Sequence, residues 1–380
     1  MPTDNIQIAE VSSKSALRKF IKFPFSIYKD NPNWVPPLIS DELRTFDHKQ
    51  NPAFDYCTSR YWMATINDKI VGRIAGIIHQ PEAEEAKLGR FGWIDFIDNY
   101  EVSELLLKTV RKWFEEEGLK GMHGPLGFTD MDFEGLLTEG FDSISTIATI
   151  YNAPYYADHL KNFGFDQEVD WIEMEGKVPE EIPAHYEERN KLIKKRFGFR
   201  EVKVKNSKQL LPYGRSMFEA LNQAYKELYG FYELTDKEIK YYIDQYFTYI
   251  NKDYVSLILD KNNEVAGFGV TTPSMSLAFQ KAKGRLFPFG FIHILKALKY
   301  NDTAEMFLIG VRPKYHKFGV TKLIFHDVLK GLKKTGIKKF YTNPIISTNS
   351  EAIDQWKGKG LEGISKVRKK RSCFKLIFDQ

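Results

Sequence analysis

Residues 305–329 place an apolar strand (306–311), a short basic loop and a helix opening at about Val320 in direct succession. That order builds an anion site. The N–H groups at a helix start have no intrahelical acceptors, and the helix dipole presents its positive end there. Gly319 removes a side chain where a phosphate must approach closely, and Arg312, Lys314, Lys317 and Lys322 bring positive charge to the same place. A nucleotide diphosphate suits this pattern. No metal site is signalled, because none of the eight histidines stands at ligand spacing from another histidine, a cysteine or a carboxylate. A Gly-x-Ser-x-Gly elbow and a P-loop are also lacking. In the first half, a long loop at 124–142 carries Asp130, Asp132 and Glu134, which can face either solvent or a cationic acceptor.

At 380 residues the chain exceeds what one hydrophobic core usually supports, so two domains are expected. Its 43% hydrophobic and 14% aromatic content is that of a globular protein. The opening residues lack a signal pattern, and the longest apolar stretch, 286–298, is interrupted by Pro288, His293 and Lys296. No membrane span is expected, and the expected location is the cytoplasm. Two distant cysteines, Cys57 and Cys373, exclude a disulfide framework. A net charge of +5 suits a small anionic ligand but falls short of a nucleic-acid footprint, so no nucleic-acid partner is expected.

The elements that must position these groups occur twice, in an α/β pattern. A strand-like run at 171–177, the prolines Pro179 and Pro183, and a charged helical stretch at 185–196 mark a connection. The expected division is 1–178, a linker at 179–198, and 199–380. Each half opens with a strand and amphipathic helices and continues into a hairpin, with an Asn/Asp-rich turn at 67–69 in one and 260–263 in the other. Three correspondences fall in the same order: the hairpin glycines Gly72 and Gly267, and the helix-to-strand glycines Gly118 with Gly336 and Gly164 with Gly360. The first half carries an extra loop at 124–145. The basic run 366–371 reads as a solvated turn between closing strands. The aromatic and basic stretch 275–300, between third and fourth strands, can cover a pocket or lie on a membrane surface, with burial against the domain partner favoured.

The segment around Gly319 resembles the GNAT acetyl-CoA loop, Gln/Arg-x-x-Gly-x-Gly/Ala after the fourth strand, here His316, Lys317, Phe318, Gly319, Val320 and Thr321. Only the central glycine is standard. Downstream, residues 349–361 resemble the GNAT pattern Asn-x-x-Ala-x-x-x-Tyr-x-x-x-Gly-Phe, with Asn349, Ala352 and Gly360 kept or nearly kept, and Trp356 in place of the tyrosine that protonates the departing thiolate in many members. The first half has no such loop: its fourth strand passes almost directly into a helix, beside Asp95, Asp98 and Glu101. Its own runs, 28–38, 51–54 and 124–128, are similar to a group of bacterial proteins in the acyl-CoA N-acyltransferase superfamily.

The resemblance implies two fused GNAT-like domains, each a mixed, largely antiparallel sheet flanked by helices. It implies an acetyl-CoA or other acyl-CoA cosubstrate held by Val311, Arg312, residues 316–321, Asn349 and Trp356, with N–H groups of 311–313 polarising the thioester. It also implies transfer to a small-molecule or peptide amine by direct attack, with Glu305 as general base assisted by Tyr341. A non-catalytic CoA- or small-molecule-binding protein of the same fold is the alternative, and an aminoacyl-tRNA-dependent transferase is a third reading.

Overall fold

The computed structural model describes residues 5–247, 250–354 and 365–378. The strands in chain order are β1 (Gln7–Glu10), β2 (Cys57–Ile66), β3 (Lys69–His79), β4 (Leu88–Phe96), β5 (Gly121–Gly124), β6 (Leu136–Glu139) and β7 (Asp166–Lys177). They continue as β8 (Arg200–Glu201), β9 (Val255–Leu259), β10 (Val265–Pro273), β11 (Thr303–Val311), β12 (Lys339–Thr342), β13 (Ile345–Ile346) and β14 (Ser365–Ile377). Two compact units result. One comprises Met1–Trp171, Ser276–His293 and Lys369–Gln380, the other Ile172–Met275 and Ile294–Arg368.

Each unit repeats one plan. In the first, β1 to β4 form an antiparallel meander and β5 lies parallel to β4. In the second, β8 to β11 form the meander and β12 lies parallel to β11. The strand that follows the parallel pair is antiparallel in both, and here the halves trade pieces. The end of β14 pairs with β5, Phe374 opposite Gly124, whereas the end of β7 pairs with β12, Glu175 opposite Tyr341. Each sheet is therefore completed by the closing strand of the other half of the chain.

Local chemistry accounts for the meanders. The β2–β3 turn uses Asn67 and Asp68 at φ 47° and 63°, the left-handed pair that a two-residue hairpin requires and that Asn and Asp tolerate. The helix Tyr100–Glu116 returns the chain from β4 to β5 and buries Val102, Leu106, Val110, Trp113 and Phe114 on the first sheet, spaced three and four apart as one helical face demands. Each such side chain contributes on the order of 1.5–3 kcal/mol. In the second unit the helix Val320–Lys334 does the same with Val320, Leu323, Ile324, Val328 and Leu332.

The fourth strand of each unit bulges. On β4 the register against β3 slips between Asp95 and Gly92, and Trp93 sits at φ 41°. On β11 it slips between Leu308 and Met306, leaving Phe307 as the extra residue. The parallel pairing is short in both: β4 meets β5 only at Leu88, Gly89 and Arg90, and β11 meets β12 only from Thr303 to Met306. Beyond those pairs the fifth strand of each unit ends while the fourth runs on.

Two regions depart from the sequence expectations. The basic run 366–371 is not a turn but the first half of β14, and Arg368, Lys369 and Arg371 are buried. Burial is possible because each has a polar partner: Arg368 reaches Glu173 at 3.4 Å, Lys369 the Ser145 hydroxyl at 3.5 Å and Arg371 the Gly135 carbonyl at 3.3 Å. The stretch 275–300 forms the helices Ser276–Ala282 and Gly290–Lys299, but Leu277, Phe287, Phe289, Ile292 and Leu295 remain exposed. No described helix is long and apolar enough to cross a membrane.

The part of β4 past the end of β5 is covered by the chain itself. The Leu126 N–H donates to the Phe91 carbonyl at 2.9 Å, and a Cβ on Gly92 would lie 2.3 Å from the Leu126 oxygen. That contact is with backbone and cannot swing aside. Gly92→Ala is expected to lower stability by about 1–3 kcal/mol, read as a lower urea midpoint at unchanged slope.

Candidate functional site: a helix start and a buried carboxyl

In the second unit, β11 runs through its bulge to Val311, and a single-turn segment, Pro313–Phe318, leads to Gly319 at φ 80° and the helix Val320–Lys334. The helix cap is glycine, so no side chain occupies the first-turn amides. Lys317 and Lys322 are exposed beside them. The corresponding start in the first unit is closed: Asn99 caps the helix Tyr100–Glu116 and accepts from the Glu101 N–H at 3.0 Å. No side chain caps the helix start at Gly319, whereas at Asn99 a side-chain oxygen takes one of the first-turn amides. A Cβ on Gly319 would meet Ile193 Cδ1 at 2.8 Å, so the helix Ala184–Phe197 packs over this glycine.

The other residues singled out in the sequence have definite places. The Arg312 guanidinium donates to the Val265 carbonyl at 2.8 Å, and its backbone N–H donates to the Ala266 carbonyl at 3.0 Å; both tie the loop to β10, so the Arg312 N–H expected to polarise a thioester is already engaged, and Pro313 has none. His316 Nε2 lies 2.9 Å from the Val311 carbonyl. Lys314 faces Glu264 at 3.4 Å. Phe318 stacks edge-on against Phe197, Val320 is buried, and Thr321 is half-buried. Asn349 caps the short helix Ser350–Asp354, accepting from the Ala352 N–H at 3.1 Å. Trp356 lies outside the described residues.

Glu305 and Tyr341 are brought side by side on the parallel pair. Glu305 is wholly buried and accepts from the Ser274 hydroxyl at 2.5 Å, and the Arg368 guanidinium lies 3.9 Å from the Tyr341 ring centroid.

The first unit holds a narrow pocket, a cavity of about 60 Å³, against the bulge of β4. Aromatic and proline side chains, Trp34, Pro36, Trp93, Tyr151 and Phe279 among them, form its walls. Its polar groups are few and buried. Arg73 pairs with Asp95 at 2.7 Å, and the Tyr28 hydroxyl donates to Asp95 at 2.8 Å. Tyr28 and Tyr156 share a hydrogen bond at 2.8 Å.

Glu42, on the helix Ile39–Thr45, is 6% exposed, lines the pocket and accepts from the Trp93 indole N–H at 2.9 Å. Burial raises its pKa from 4.5 to about 7, against the pull of Arg73 and Trp93 and with Asp132 adding to the rise. A carboxyl poised there can take or give a proton at neutral pH. The loop carboxylates behave differently: Asp132 accepts from the Phe128 and Thr129 N–H groups at 2.9 and 3.1 Å, while burial raises both Asp130 and Glu134, which hydrogen-bond to each other.

No protein-family model matches the chain. Among solved structures it is similar to a tandem GNAT protein from the clavulanic acid biosynthesis pathway, with a TM-score of 0.56 at 10% identity over 98% of both chains. The fold is that of a tandem GNAT protein. A GCN5-related N-acetyltransferase from Sphaerobacter thermophilus is similar too, with a TM-score of 0.51 at 8% identity, covering 99% of this chain and 97% of that one. Two curated bacterial proteins are similar in sequence. Protein YghO of Escherichia coli (strain K12) is 29% identical over 309 residues, 80% of this chain and 78% of that protein. The bacterial ceramide synthase of Caulobacter vibrioides is 26% identical over 369 residues, 93% of each.

Within the tandem GNAT fold, Glu42 is the residue that sequence reasoning did not single out. It lies four residues past the run 28–38, in the doublet Asp41-Glu42. Carboxylates in a first helical turn ordinarily face solvent and favour the helix dipole; here one of the two is turned inward. The proline pair Pro36-Pro37 directly before the helix is the available signal, since it fixes the angle at which the chain enters.

The raised pKa has a measurable consequence. The folded state holds the Glu42 proton more tightly than the unfolded chain does, so its contribution favours folding at acid pH and is lost as pH rises from about 4.5 to about 7. Glu42→Gln removes that dependence. Relative to wild type, the variant is expected to gain on the order of 3 kcal/mol between pH 5 and pH 8 in urea unfolding, and a pH-independent difference would refute the shift.

Proposed function

We propose that the chain is an acyl-CoA-dependent N-acyltransferase that acylates an amphiphilic amine. The observation that carries the reading is Glu42: a buried carboxyl with a pKa near 7, lining a largely apolar pocket against the bulged fourth strand of a GNAT sheet. The name of the Caulobacter relative supports the acceptor class, because a ceramide is an N-acylated long-chain amino alcohol. The helix start at Gly319 would hold the coenzyme A diphosphate, through the free first-turn amides and the ammonium groups of Lys317 and Lys322. The pocket of the first unit would take the acceptor.

When bound, acyl-CoA supplies an acyl thioester. The chain's own residues do the rest. The apolar walls exclude water from the acceptor nitrogen. Glu42 would accept the nitrogen's proton as the lone pair attacks the thioester carbonyl, the carbon–sulfur bond would break and coenzyme A would leave as its thiolate, protonated by water, while the Trp93 indole N–H fixes the carboxylate orientation. Asp95 is already paired with Arg73 and Tyr28, although burial raises its pKa too, whereas Glu42 has only the Trp93 N–H.

Two measurements test this. Calorimetry with coenzyme A and palmitoyl-CoA is expected to show binding that Lys317→Glu/Lys322→Glu weakens roughly tenfold or more. Acyl transfer to a long-chain amino alcohol is expected to exceed transfer to ethylamine, to rise with pH through about 7, and to fall roughly 10²–10⁴-fold in kcat in Glu42→Gln, with Glu305→Gln as the comparison. Binding of coenzyme A without turnover on any amine would favour the non-catalytic reading. Absence of coenzyme A binding would remove both.

A further inference from the structure

We infer that residues 277–292 of the first unit form a docking knob for an anionic lipid surface. Leu277 is 63%, Phe287 77%, Phe289 69% and Ile292 49% exposed, and Phe291 is exposed as well. Single exposed apolar side chains are ordinary, but a contiguous group marks a surface that something covers. Residues 287–292 cluster: the Phe287 and Phe291 rings lie 5.8 Å apart, and the Ile292 N–H donates to the Phe289 carbonyl at 3.1 Å.

The knob is held firmly from behind. The Gln280 amide donates to the Pro32 and Trp34 carbonyls at 2.7 and 2.9 Å, and the Ile39 N–H donates to the Gly284 carbonyl at 3.0 Å. The Phe291 N–H donates to the Leu286 carbonyl at 2.8 Å, and Gly290 lies so close to the Arg285 carbonyl that any side chain would collide with it. The aromatic tips are thus presented by an ordered turn.

Charge selects the occupant. No acidic residue lies between Glu264 and Asp302, whereas Lys281, Lys283, Arg285, Lys296 and Lys299 do, and Lys281, Lys283 and Arg285 are exposed beside the apolar tips. Apolar tips ringed by cations match a bilayer whose headgroups are negative: the rings enter the acyl boundary and the ammonium groups meet phosphate. The helix Ser276–Ala282 that carries Leu277 also puts Phe279 into the pocket wall. Docking itself rests on exposure and charge alone, and its test involves no turnover, so a failed acyl-transfer assay leaves it standing.

The experiment is co-flotation of the full chain with vesicles of phosphatidylcholine and phosphatidylglycerol at three to one, and with phosphatidylcholine alone. Binding to the mixed vesicles, weak binding to the neutral ones, and a loss of affinity of at least roughly tenfold in Phe287→Ser/Phe289→Ser/Ile292→Ser and in Lys281→Glu/Lys283→Glu are expected. The substituted side chains are exposed, and an unchanged urea midpoint confirms that the variants fold. No flotation, or flotation of the apolar triple variant equal to wild type, overturns the inference. Equal binding to both vesicle types overturns its electrostatic half. A concentration-dependent dimer that the triple variant abolishes makes a second copy of the chain the occupant and overturns it too.

Discussion

Everything that distinguishes the two units from plain α/β layers follows from a parallel strand pair that stops early. Parallel neighbours need a crossover, and each fourth strand is followed by a helix that returns to start the fifth. If the pairing ran the full length of the fourth strands, no space would open beside them. It runs for three residues in one unit and four in the other, and each fourth strand then bulges away. A bulge costs ladder hydrogen bonds and turns side chains that would otherwise alternate. At Trp93 it aims an indole N–H at Glu42; at Phe307 it leads the strand toward an uncapped helix start.

From that shared geometry the units have diverged by small changes of residue type. The first unit caps its crossover helix with Asn99 and threads Leu126 across the gap, and what remains is an enclosed pocket with a protonatable carboxyl. The second keeps glycine at the cap and lysines around it. A side-chain oxygen at a helix N-cap and a bound phosphate compete for the same N–H groups, so one unit cannot use both.

Much of this was legible in the sequence because it is local. The Asn/Asp turns, the helix opening at Val320 and the missing loop after β4 each depend on a few adjacent residues, and each is found where the pattern puts it. What was illegible depends on partners far along the chain. Lys369 and Arg371 alternate like any solvated strand, and only Ser145 and the Gly135 carbonyl make their burial tolerable. Glu42 shares a doublet with Asp41, and nothing within that helix says which carboxylate points inward. Strand alternation is likewise blind to which sheet a strand joins: the runs that became β7 and β14 read the same whether they close their own half or the other one.

That exchange of closing strands bears on how the chain is made. Most multidomain proteins can finish an early domain while later residues are still being synthesised. Here the edge of β5 finds its partner only when residues 374–377 exist. At ordinary elongation rates that is roughly ten to fifty seconds after Gly124 is joined. Through that interval the nascent first half carries an unpaired strand edge of the kind that recruits wrong neighbours. The order of synthesis thus leaves the edge of β5 without its final neighbour until almost all of the 380 residues have been joined.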